Sequence, residues 1–175
     1  MKTGLIHIYT GEGKGKTTSA VGLGVRALSH GLRVCYSYFN KEPALYGDTE
    51  IISLEKLGAV IIGTTNGHPS FNKMSIKEDY KMQTQNSFRD IEKLIHNEYF
   101  DMLILDEILI SIRDGFLEET KLLEFIKNKP GNLELIMTGR GATDQLIDLA
   151  DYVSNIENVK HPLNKGITSR EGIEF

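Results

Sequence analysis

Apolar residues fall into short continuous runs, separated by longer stretches in which they recur at helical spacing. The runs are Leu5–Thr10, Arg33–Phe39, Ala59–Ile62, Met102–Leu105, Leu133–Met137 and Tyr152–Asn158, rich in aliphatic, β-branched and aromatic side chains. Continuous runs bounded by turn residues predict strands, buried where the run is wholly apolar. Between them, Thr17–Ser29 reads as a helix with an apolar face of Ala20, Val21, Leu23, Gly24, Ala27 and Leu28. Gly22 and Gly24 weaken its propensity but permit close packing on a sheet, and Gly31 suits a left-handed cap. Thr49–Leu57 reads as a short helix. Ser75 with Glu78 forms a capping box opening a helix to about Asn97, with Tyr80, Phe88, Ile91, Leu94 and Ile95 inward. Glu118–Lys127, closed by Asn128, Pro130 and Gly131, and Thr143–Ala150 complete the helices. The tail Val159–Phe175 is turn-rich and polar, either extended or a hairpin.

Strands alternating with helices predict an α/β domain, a mostly parallel β-sheet with helices on both faces joined by right-handed crossovers. At 175 residues the chain reads as one domain, residues 1–175. Such sheets bind ligands at the carboxyl ends of their strands. The first strand ends in a glycine-rich segment, and the third in the long loop Gly63–Ser75, long enough to read as functional. The fourth ends in Asp106-Glu107 and the fifth in Thr138-Gly139-Arg140. All four converge on one edge.

Composition narrows the partners. Hydrophobic residues are 40% of the chain, enough for a sizeable core, and the formal charge is −4. The electrostatic footprint of a general nucleic-acid binder is missing. No apolar run reaches transmembrane length, and a strand almost at the N-terminus leaves no room for a signal peptide. The single Cys35 lies in an apolar run and reads as a buried thiol in a reducing cytoplasm.

The chemistry starts at Thr10-Gly11-Glu12-Gly13-Lys14-Gly15-Lys16-Thr17-Thr18. Strand, alternate glycines, Lys-Thr and helix form a phosphate loop. Its N–H groups face an anion, Lys16 reaches the phosphates and the Thr17 hydroxyl binds Mg²⁺. Thr10 stands where the usual pattern has its first glycine. Asp106-Glu107, after four apolar residues, reads as the acidic element that binds Mg²⁺ opposite the loop threonine, or as an N-cap on a following helix. Arg140, between two glycines, suits phosphate oxygens or an acidic ligand, or a surface ion pair. Arg26 reads as a surface residue. His68 and Phe71 sit in the long loop, where an aromatic could cover a flat ligand. His7 reads as a satisfied core or edge histidine. No transition-metal spacing and no serine nucleophile elbow is present. The residues alone reach a Mg²⁺-nucleotide phosphate-loop protein whose second substrate is unnamed.

The phosphate loop with Leu105-Asp106-Glu107, Thr138-Gly139-Arg140-Gly141 and the tail Val159-Lys160-His161, Gly166 and Gly172-Ile173-Glu174-Phe175 resembles the phosphate-loop (RecA-like) ATP:corrinoid adenosyltransferases over nearly the whole chain. The resemblance implies that Co(I) of a reduced corrinoid (cobalamin, cobinamide or a precursor) attacks the 5′ carbon of ATP, releasing triphosphate. It also implies that ATP lies reversed in the loop. Gly11, Glu12, Gly13, Lys14, Gly15, Lys16, Thr17 and Thr18 would hold the triphosphate, and Thr17 and Glu107 would position Mg²⁺ with Asp106 in support. Arg26 and Arg140 are weaker carry-overs. An electron donor that reduces cobalt and a homodimer are implied as well. Better-known members add an N-terminal extension over the corrinoid, whereas this sequence starts at the first strand. They also carry two aromatics after a glycine in the third-strand loop, where this sequence has Gly67-His68-Pro69-Ser70 and then Phe71.

Overall fold

The computed structural model describes residues 3–41, 49–63 and 77–174. Among them six strands form one sheet: β1 (Ile6–Thr10), β2 (Val34–Tyr38), β3 (Val60–Gly63), β4 (Met102–Asp106), β5 (Glu134–Thr138) and β6 (Tyr152–Asn155). Their order is β3-β2-β4-β5-β1-β6 and every pairing is parallel. The helices are α1 (Lys16–Ser29), α2 (Thr49–Lys56), α3 (Lys77–Asn97), α4 (Ile108–Arg113), α5 (Glu119–Asn128) and α6 (Asp144–Leu149). This is the expected α/β phosphate-loop architecture. β5 lies between the strand that carries the loop and the strand that carries the acidic pair.

Each strand's period of two divides its side chains between two cores. On one face Val34, Tyr36 and Tyr38 of β2, Met102 and Ile104 of β4 and Ile136 of β5 pack with Ala20 and Ala27 of α1 and Leu54 of α2. On the other, Cys35, Leu103, Leu105, Leu135 and Met137 meet Phe88, Ile91 and Ile95 of α3, Leu122, Phe125 and Ile126 of α5, and Leu146 of α6. Phe88 and Phe125 meet edge-on at 5.7 Å. The alternation matters for function, because it turns Asp106, at the end of β4, onto the α1 face.

Gly24 is buried on α1, and a Cβ there would stand 3.0 Å from Ile104 Cδ1, so it sets the helix–sheet distance. Gly22 faces open space and has no such role. Cys35 is buried, and burial pushes its thiol up to about 12. His7 meets Glu134 at 2.6 Å and stacks on Tyr152.

Three local expectations change. Nothing in the sequence marks an element between Glu107 and Glu118, yet Ile108–Arg113 forms α4. It is too short for periodicity to reveal, and its β-branched residues favour strand over helix. β6 stops at Asn155, because Ile156 turns to bond the phosphate loop. In the tail, Pro162–Lys165 is a 3-10 turn closed by the left-handed Gly166, neither extended nor a hairpin. Ser75, of the expected capping box, lies outside the described residues.

Candidate active site

β1 delivers the chain to Gly11, and α1 begins at Lys16. The three alternate glycines divide their work. A Cβ on Gly11 would lie 2.4 Å from Asn155 Oδ1, and one on Gly13 would lie 2.5 Å from the Glu157 carbonyl oxygen. The Gly13 N–H donates to the Ile156 carbonyl at 2.7 Å, and the Ile156 N–H to the Thr10 carbonyl at 2.8 Å. Gly11 and Gly13 therefore make room for the chain leaving β6, and the Gly13 N–H is engaged there. Gly15, at φ 125°, has open space where a Cβ would be. As the N-cap of α1 it offers no side-chain oxygen, and no acid sits in the first turn. The opening N–H groups of α1 thus face the loop with the positive end of the dipole uncompensated. The part of the stretch that could hold an anion is its second half, Gly15–Thr18.

Lys16 folds over its own loop, its Nζ donating to the Gly11 and Gly13 carbonyls at 2.7 Å each. Burial and then the charge of Arg140 lower its pKa. Thr17 Oγ1 donates to Asp106 Oδ1 at 3.0 Å. Asp106 is fully buried and collects further donors: Thr138 Oγ1 at 2.6 Å on Oδ1, then Tyr36 OH at 2.9 Å and Lys41 Nζ at 2.7 Å on Oδ2. Burial alone would raise its pKa. The Lys41 charge, with hydrogen bonds from Lys41, Thr138 and Tyr36, outweighs that and holds it below the usual carboxylate range.

Glu107 is built differently. It adopts the left-handed region at φ 63°, where a non-glycine residue is uncommon. Its N–H donates to Thr138 Oγ1 at 2.9 Å and its carbonyl accepts from Asn40 Nδ2 at 3.0 Å. Asn40 has φ 59° and also donates to Ser111 Oγ at 3.1 Å. The backbone is therefore held from both sides in a sparse conformation, the kind that clusters at functional sites. Desolvation, followed by the charge of Asp106, raises the Glu107 carboxyl to about 7. Glu107 is also the N-cap residue of α4 without a side-chain capping bond, so the cap alternative describes its place but not its side chain.

At the mouth, Arg140 pairs with Glu12 at 3.3 Å, both largely exposed. Lys14 Nζ donates to the Ile173 carbonyl of the tail at 3.1 Å. Thr18 is exposed in the first turn of α1.

The family model described as ATP:corrinoid adenosyltransferase BtuR/CobO/CobP matches residues 2–175. The chain belongs to this family. A corrinoid adenosyltransferase of Sinorhizobium sp. is 33% identical over 98% of this chain and 80% of its own length. One of Pseudomonas aeruginosa is 30% identical over 98% of this chain and 84% of its own. Corrinoid adenosyltransferase CobA of Salmonella typhimurium is 28% identical over 98% and 86%. Among solved structures, domain III of the Thermotoga maritima replication initiation protein DnaA aligns at TM-score 0.38 and 16% identity, over 85% of this chain and 52% of that one.

In this adenosyltransferase Gly11–Thr18, Asp106, Glu107 and Arg140 come together on one sheet edge. Arg26 does not. It lies in the last turn of α1, ten residues beyond Lys16, about 15 Å along the axis at 1.5 Å per residue. There it lines a separate cavity of about 620 Å³ with Leu23, His30 and Glu134. His68 and Phe71 lie outside the described residues. Sequence reasoning missed Tyr36, Asn40 and Lys41, and named Thr138 only as the start of the segment that carries Arg140. Tyr36 reads as strand filling and Lys41 as the start of a loop. Their one signal is position, since Asn40-Lys41 and Thr138 also stand at carboxyl ends of parallel strands.

Proposed function

We propose that this adenosyltransferase binds MgATP on the Gly11–Thr18 loop and transfers its 5′-deoxyadenosyl group to Co(I) of a reduced corrinoid, cobalamin, cobinamide or a precursor. One observation carries the reading: an uncapped α1 N-terminus meets Lys16, Thr17 and a clamped Glu107 in a chain of this family. Thr17 Oγ1 and the Glu107 carboxylate would hold Mg²⁺, with Asp106 in support through Thr17. The donors are all oxygens, and Mg²⁺ keeps several waters, so one carboxylate and one hydroxyl suffice. Desolvation and the Asp106 charge disfavour the ionised Glu107 carboxylate, and a bound cation would stabilise it. When bound, the metal neutralises charge on the triphosphate.

In the transfer a Co–C5′ bond forms with the Co(I) electron pair as the C5′–O bond breaks. The electrons of that bond leave with triphosphate, and cobalt is formally oxidised to Co(III). Lys16 and the first-turn N–H groups of α1 take up the charge that develops on the leaving group. Arg140 adds a cation at the mouth by exchanging Glu12 for a phosphate or acidic ligand. No protein nucleophile is needed, because the substrate carries its own. His68 and Phe71 are candidates for corrinoid contact by sequence position alone. A homodimer and an external reductant, carried over from the resemblance, and a cytoplasmic location, read from the lone Cys35, complete the reading. Among the described residues no helix is long and apolar enough to cross a membrane.

The deciding experiment is anaerobic incubation of the protein with MgATP and chemically reduced cobalamin or cobinamide. Adenosylcorrinoid and triphosphate are the expected products. Release of ADP and phosphate alone would instead assign ordinary γ-phosphate chemistry to the loop.

Metal binding should also depend on pH through Glu107. Its free-state pKa near 7 stands above the ordinary 4.5, so a proton competes with the metal below pH 7. Affinity for Mn²⁺ as a Mg²⁺ surrogate is expected to fall about tenfold from pH 8 to pH 6, against little change above pH 8. Titrations in the presence of ATP measure this. Because ATP itself titrates nearby, Glu107→Gln is the control, and its profile should lose that part of the slope. An identical slope in the variant would remove Glu107 from the metal site.

A further inference from the structure

The acidic pair at the end of β4 is held by two consecutive residues at the end of β2. Asn40 grips the Glu107 backbone carbonyl, and Lys41 grips the Asp106 carboxylate. Lys41 Nζ stands 2.7 Å from Asp106 Oδ2 and 3.0 Å from Glu50 Oε1 of α2. A carboxylate has about four lone-pair sites. Those of Asp106 are taken by Thr17 and Thr138 on Oδ1 and by Tyr36 and Lys41 on Oδ2. No acceptor position is left for a metal or a metal-bound water without displacing a protein donor. Glu107, one residue on, has its backbone held, and no hydrogen bond is assigned to its carboxylate among the described residues.

We propose that Lys41 is a positioning residue that locks Asp106 into an internal ion pair, so that Asp106 orients Thr17 and leaves Glu107 as the metal-facing carboxylate. The physical logic is a division of labour between two adjacent acids. Two unpaired carboxylates side by side repel each other and compete for one cation. A fixed ammonium on the inner acid removes that competition. It fixes the carboxylate in place, so Asp106 accepts the hydrogen bond from the Thr17 hydroxyl and turns the lone pairs of Oγ1 outward to the metal. A guanidinium could supply the charge but has a different shape. Methionine supplies the stem without the charge.

The inference rests on the metal-nucleotide reading of the loop. Mn²⁺ affinity, measured by electron paramagnetic resonance with saturating ATP and no corrinoid, separates the two. If the wild type holds no Mn²⁺ with ATP, the loop reading itself fails. With binding in the wild type, Lys41→Met is expected to tighten Mn²⁺ about tenfold, because Asp106 is freed as an unpaired anion beside the metal. Lys41→Arg should stay within about threefold of the wild type. Asp106→Asn alone strands the Lys41 charge and is expected to weaken Mn²⁺ strongly. The double variant Lys41→Met/Asp106→Asn removes both charges together and should recover affinity to within about threefold of the wild type, with most of the lost melting temperature. A double variant as weak as Asp106→Asn would make Asp106 a metal ligand and overturn the proposal. So would Lys41→Met with unchanged affinity, which remains measurable if the double variant does not fold.

Discussion

Lys16→Ala is expected to lower kcat/KM for adenosyl transfer by roughly 10²–10³ while leaving the fold intact, the scale of losing one preorganised donor at a charge-developing site. Lys16 Nζ rests on two carbonyls of its own loop, Gly11 and Gly13, and it is not a core residue. Removing it costs two hydrogen bonds at a partly exposed surface, each worth about 1 kcal/mol. In the proposed reaction its contribution would grow as triphosphate departs, because the leaving group gains charge as the C5′–O bond breaks. The loss should therefore appear in kcat and not only in KM. Anaerobic steady-state assays with thermal melts on the same samples separate the two effects. A variant that turns over at the wild-type rate would remove the phosphate loop from the mechanism.

Asp106→Ala is the largest stability effect expected, about 3–5 kcal/mol, the scale for removing one partner of a buried ion pair. The carboxylate is fully buried and accepts from Thr17, Tyr36, Lys41 and Thr138. Truncation leaves the Tyr36 hydroxyl without this acceptor in the interior and leaves Lys41 with Glu50 as its remaining carboxylate partner in this cluster. In a domain of this size the melting temperature should fall by on the order of 10 °C. Denaturant unfolding of the ligand-free protein tests it without involving catalysis. A shift under about 2 °C would mean that the network is solvated rather than buried as drawn. The contrast with Lys16 is instructive. Two residues of one site, both charged, are expected to fail in different ways, because one is proposed to meet the triphosphate and the other is buried among protein donors.

That difference also separates what the chain's pattern reveals from what it conceals. Strand runs, the 3.6-residue spacing of α1 and α3, and the strand–glycines–Lys-Thr–helix signature are local, so they could be read directly. The short α4 could not, since six residues carry too little periodicity and its isoleucines favour strand. Arg26 reads from the residues as a surface position and joins the loop only through the family resemblance, and helix rise carries it away.

The sequence by itself determined the α/β class, the parallel sheet, the phosphate loop and the family, because each rests on residues close together or on an ordered set of motifs. Tertiary structure alone decided which groups meet. It packs Gly11 and Gly13 against the chain leaving β6 and leaves open space beside Gly15. It inserts β5 between β1 and β4, so that Thr138 bridges the Asp106 carboxylate and the Glu107 N–H. It brings Lys41, sixty-five positions from Asp106, to 2.7 Å from its carboxylate. Strand order and the handing of side chains to one face or the other are properties of the assembled sheet. No stretch of the chain encodes them alone, and they tie one of two adjacent acids into a buried network and leave the carboxylate of the other outside it.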